Sequence, residues 1–200
     1  MNIYIVFSAT PYRMGRFIRK FTGEEYNHVS IALDEELNQM YGFARRFYRT
    51  PFYGGFVKES LSRYHLGEEA AIIRVCRLPV TAQQYQHLKQ LLETMHAQRQ
   101  QYLYNYLSAA TAVLRHPVRL TDAYTCIEFC VNILDDIGIQ IDPKKYYTVG
   151  DVEKMLRPHT VYTGPAPKPD RPDDEFFAKK PVPYPISTTV VAIAKLFRRL

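Results

Sequence analysis

Tryptophan is absent from this chain of 200 residues, and cysteine occurs only three times. An odd set of cysteines without framework spacing excludes a disulfide-stapled miniprotein and points to a reducing compartment, the cytoplasm. Long apolar runs are missing as well. Nothing approaches the roughly 18 consecutive apolar residues that a spanning helix requires. The apolar run from Asn2 to Phe7 lacks the basic segment of a secretory leader and is too short for its core, so it reads as a buried first strand. No CxxC pair, HExxH, GxGxxG or Walker-type glycine loop occurs. Metal, dinucleotide and nucleoside-triphosphate chemistry therefore have no sequence support, and no cofactor is expected. Nor is the charge arranged around a recognisable nucleic-acid module, so no nucleic-acid partner is expected.

What the chain does hold is apolar and aromatic mass. Hydrophobic residues make up 46%, with 16 Tyr and 11 Phe, enough for a real core and against wholesale disorder. A net charge of +6 suits an anionic partner such as a phosphate or a lipid headgroup. Eight of the 13 prolines lie between Pro158 and Pro185. That density fixes an extended chain, so residues 1–157 read as one domain and 158–200 as a proline-rich, linker-like tail. Within the tail, Ser187 to Leu200 reads as a short amphipathic helix. Val190, Ile193, Ala194 and Phe197 recur at helical spacing, with Lys195, Arg198 and Arg199 near the end. This stripe suits peripheral membrane contact, or docking on the body or on a second copy.

The body mixes strands and helices. After the first strand, Arg13 to Phe21 predicts a helix carrying Arg13, Arg16, Arg19 and Lys20, which is either a headgroup-binding face or simply a solvated one. His28 to Leu33 predicts a strand, Asp34 to Asn38 a turn, and Gln39 to Phe43 a return strand. Tyr53-Gly54-Gly55-Phe56 punctuates a loop. Ala71 to Leu78 predicts a β-branched strand, and Thr81 with Gln84 a capping box that opens a helix with Tyr85, Leu88, Leu91, Leu92 and Met95 on one face. An aromatic segment, Tyr102 to Tyr106, leads into a helix ending before Pro117. The last body helix runs from about Cys126 to Ile137 and stops at Gly138.

Cys126 carries the most chemistry. Thr125 and Glu128 have capping-box spacing, which puts Cys126 at the first helical position. There the free backbone N–H groups and the positive end of the helix dipole favour a thiolate. Cys130, one turn later, reads as a core residue, and a buried structural thiol is the alternative for Cys126 itself. Among six histidines, His28 opens a strand, where its ring projects from the sheet edge. It is a candidate base for the thiol, or else a structural histidine. Glu24-Glu25 and Asp135-Asp136 read as solvated positions.

Tyr26-Asn27-His28-Val29-Ser30-Ile31-Ala32-Leu33, followed about a hundred residues later by Tyr124-Thr125-Cys126-Ile127-Glu128-Phe129, resembles the permuted NlpC-type papain-like hydrolases, the broad group similar to lecithin:retinol acyltransferase. The histidine-first order is that of the permuted branch. The resemblance covers residues 1 to 157. It implies an α+β, papain-like fold in which the Cys126 helix packs on an antiparallel sheet carrying His28. It further implies thiol-dependent hydrolysis or acyl transfer at an amide or ester of a peptide or lipid. The family's third polar residue lies on the strand after the histidine. That strand holds no acid and no histidine here, and Gln39 is its nearest polar candidate. The gap leaves open a catalytically inactive relative that binds a membrane surface or an anionic ligand.

Overall fold

The structure, a computed structural model, describes residues 1–50, 52–111, 117–143, 145–170, 172–178 and 184–199, and for 184–189 the backbone alone. In chain order the first half runs β1 (Asn2–Ala9), α1 (Arg13–Thr22), β2 (His28–Ala32), β3 (Met40–Arg45), β4 (Gly54–Glu59), β5 (His65–Leu66), β6 (Glu69–Ala70) and β7 (Ile72–Pro79). The second half runs α2 (Ala82–Ala97), β8 (Leu103–Tyr104), α3 (Tyr106–Thr111), β9 (Ala123–Tyr124), α4 (Cys126–Asp136), α5 (Val149–Leu156), β10 (Thr160–Pro165), α6 (Asp174–Phe177) and α7 (Tyr184–Phe197). The class is α+β, built on a six-stranded antiparallel sheet in the order β10-β7-β1-β2-β3-β4. No helix among the described residues is long and apolar enough to cross a membrane.

Strand periodicity sorts the core into two layers. Ile3, Ile5 and Phe7 of β1 join Val29, Ile31, Phe43, Phe56 and Cys76 on one face, covered by α2, α4 and α5. Tyr4 and Val6 join Ala32, Met40, Ile73 and Val75 on the other, closed by Tyr64, Ala71 and Ala166. Because both faces are covered, β1 is buried without a break from Ile3 to Ser8. Phe129 of α4 packs against Phe43 and Phe56, with ring centroids 5.3 and 5.6 Å apart. That aromatic cluster holds the start of α4 over the sheet.

Several expectations need correction. Gly54 and Gly55 open β4 and not a loop, since a Cβ at Gly55 would collide with the Tyr102 carbonyl and crowd the Arg46 guanidinium. The boundary at 157 is not a structural one. Thr160 to Pro165 pair with β7 as the sheet's edge strand, Ala166 is buried, and Phe176 packs beneath Tyr12 and Tyr48. Asp173 caps α6 and forms an ion pair with Arg63 at 2.6 Å, so residues 160–170 and 172–177 belong to the body. The stripe of α7 faces outward. Ala192 and Leu196 are buried, Leu196 against Leu103, Leu120 and Ala123, while Val190, Ile193, Ala194 and Phe197 are exposed. The end of the helix expected before Pro117 lies outside the described residues, as do residues 179–183 of the proline-rich segment.

Candidate active site

The local sequence builds the thiol's position first. Thr125 Oγ1 accepts the Glu128 N–H at 3.2 Å, and Glu128 Oε2 accepts the Thr125 N–H at 2.7 Å, closing the expected capping box. Cys126 is thus the first residue of α4, which lies across β2 and β3. Cys130 is fully buried in the core, where burial pushes its thiol well up. It takes no part in a ligand set. Among the described residues no group of three or more His, Cys, Asp or Glu is placed to hold a metal ion.

His28 is the first residue of β2, and its side chain is 11% exposed. On one side the Cys126 sulfur is near enough to act on the charge of the His28 ring. On the other, Nε2 lies 3.0 and 3.1 Å from the two carboxylate oxygens of Glu59 and 3.1 Å from Ser30 Oγ. Glu59 also accepts hydrogen bonds from Ser30 Oγ and Tyr64 Oη, each at 2.8 Å. Burial disfavours charge on both ionisable partners. The Glu59 charge outweighs it at His28, helped by the nearby Cys126 and by the hydrogen bond that the ring donates to Glu59, and holds the imidazole well above its ordinary range. Reciprocally, the His28 charge and hydrogen bond overcome burial and hold the Glu59 carboxyl well below its usual range. Ser30 and Glu59 are in register with Val6 and Met40, so they lie on the sheet face opposite α4. The imidazole at the end of β2 links that polar cluster to a thiol arriving from the helix side.

Glu59 is the residue that reasoning along the chain missed. The resemblance places the third polar residue on the strand after His28, and that strand contributes Gly42 instead. A Cβ at Gly42 would collide with Glu59 Oε1 and come within 3.3 Å of Ser30 Oγ. The bare backbone of β3 is what lets a carboxylate on β4 cross to a histidine on β2. A glycine inside a strand is a recognised mark of such close approach, and it was the available signal. Gln39 sits elsewhere. It lies before β3 in the turn held by Asp34, its N–H donating to Asp34 Oδ1 at 2.7 Å, at the far end of β2 from His28.

Tyr104 completes the surroundings of the sulfur. Its hydroxyl is driven well above the ordinary phenol range by burial, with Cys126, Tyr106 and Glu128 nearby adding to the effect. Two other histidines are occupied differently. His65 Nδ1 meets the Leu61 carbonyl, and His87 pairs with Asp136 at 2.7 Å on the surface. No family model, curated protein or solved structure matches the chain.

Proposed function

We propose that the chain is a thiol-dependent hydrolase or acyltransferase of the permuted papain-like kind, acting on an amide or ester. The observation that carries this reading is one buried imidazole bonded to the Glu59 carboxylate, with the helix-start Cys126 near enough to act on its charge. That is the nucleophile, base and orienter arrangement of acyl-transfer enzymes. Glu59 takes up Nε2, so Nδ1 is the nitrogen left to exchange a proton with the sulfur. The ring takes that proton and leaves the sulfur as the nucleophile.

Sulfur attacks the carbonyl carbon, a C–S bond forms, and the carbonyl electrons move to oxygen. The Cys126 N–H at the start of α4 faces that developing charge. Collapse breaks the bond to the leaving amine or alcohol, which takes the proton from His28. Water or another acceptor, deprotonated by the same ring, then attacks the thioester and frees the acyl group. Glu59 and Ser30 hold the ring in orientation throughout.

A second reading is favoured by the burial of Cys126, which is 5% exposed. In it the fold serves as a non-catalytic module that binds a membrane surface or an anionic ligand. A thiol-directed alkylating probe at neutral pH separates the two. Catalysis predicts labelling at Cys126 well ahead of Cys76 and Cys130, as read by peptide mass spectrometry. Equal or slower labelling at Cys126 supports the inert module.

A further inference from the structure

Helix α1 is built inside out. Met14, Phe17, Ile18 and Phe21 recur at i, i+3, i+4 and i+7, the spacing that normally faces a core. Here they are 44, 64, 37 and 63% exposed, and the rings of Phe17 and Phe21 stack on one another at 6.1 Å. What turns inward is polar or small. Gly15 is the helix's buried residue, and the Arg19 guanidinium donates to the Thr10 carbonyl at 2.9 Å and to Asn27 Oδ1 at 2.6 Å. Turning a cationic side chain in and four large apolar ones out makes sense only if something apolar meets the outer face.

Charge narrows the occupant. The ten residues of α1 include Arg13, Arg16, Arg19 and Lys20 and no acid. Arg16 is matched by Glu69, whereas Arg13 and Lys20 are exposed and have no acidic partner among the described residues. An apolar stripe flanked by unmatched cations is complementary to an anionic lipid surface, with acyl chains below and phosphates above. At 1.5 Å per residue the helix is about 15 Å long, so it lies in the interface and does not span.

We infer that α1 docks this protein on anionic membrane surfaces. Because Asn27, which anchors Arg19, immediately precedes His28, docking sets the Cys126–His28 site beside the lipid boundary. The inference stands whether or not that site is catalytic.

Vesicle co-sedimentation of the full chain tests it, using phosphatidylcholine alone or mixed with phosphatidylglycerol. The wild type should sediment with the mixed vesicles, and added salt should weaken binding. Phe17→Ser/Phe21→Ser and Arg13→Glu/Lys20→Glu should each lower binding about tenfold or more. All four positions are exposed, so thermal unfolding should stay at the wild-type value. Val190→Ser/Phe197→Ser on α7 runs in parallel and should bind as the wild type does. Three results overturn the inference: a wild type that ignores the mixed vesicles, α1 variants that bind undiminished, and a wild-type dimer that the phenylalanine variant dissociates. The last would assign the face to a second copy.

Discussion

Glu59 and His28 share a buried site in which each sustains the other's charge. A carboxyl held below its ordinary range contributes stability above its unfolded value, 4.5, and loses it as pH falls through the folded value. An imidazole held above its ordinary range contributes fully below its unfolded value, 6.5, and loses it as pH rises through the folded one. Both contributions are complete only between about pH 4.5 and 6.5. Gly42→Ala should disrupt them together, because the new methyl occupies the space of the Glu59 carboxylate. Expected is a loss of about 1–3 kcal/mol within that window. The variant's thermal midpoint should also vary less with pH on both flanks than the wild type's. An unchanged midpoint and pH profile would mean that the carboxylate does not depend on the bare backbone of β3. The same residue shows why Gln39 is not the partner that His28 meets. The position of His28 is visible in its strand, but a partner reaching across an intervening strand depends on sheet order, which no single stretch of sequence displays.

Elements were readable where their ends are written in side chains. Thr81 with Gln84 and Thr125 with Glu128 close the boxes that their spacing predicts, and Gly138 follows α4 with φ of +80°. Thr148 with Asp151 opens α5 in the same way. β10 was hidden by composition. Proline density speaks for an extended chain without saying whether that chain is paired. The interval from Thr160 to Gly164 contains no proline, and Pro165 falls at the last position of an edge strand, where its missing N–H costs little. A chain ending at Pro158 should therefore be damaged and not merely shortened. It loses the ladder to β7 and the Ala166 N–H bond to the Ala71 carbonyl at 2.8 Å, together with the burial of Phe176. At about 1 kcal/mol per hydrogen bond and about 2 kcal/mol for the phenylalanine, several kcal/mol are at stake. Thermal unfolding of the truncated chain should show a much lower midpoint or no cooperative transition. A full-length midpoint would restore the separable tail.

At the scale of the molecule, two apolar layers on one antiparallel sheet follow from alternating strands and amphipathic helices, and that much of the α+β class was legible. Helix orientation was not. The stripes of α1 and α7 both obey core spacing and both face outward, because periodicity identifies an apolar face without saying what meets it. The central claim is that Cys126, His28 and Glu59, brought from α4, β2 and β4, act as one unit. Its most direct test is the rate at which an activated aryl ester acylates Cys126, followed by intact and peptide mass spectrometry in the wild type, His28→Gln and Glu59→Gln. The account predicts an acyl adduct on Cys126 in the wild type. It further predicts that each substitution slows adduct formation by about 10²-fold or more while the fold remains cooperative. An adduct forming equally fast in Glu59→Gln, or appearing on Cys76 or Cys130 instead, would contradict it.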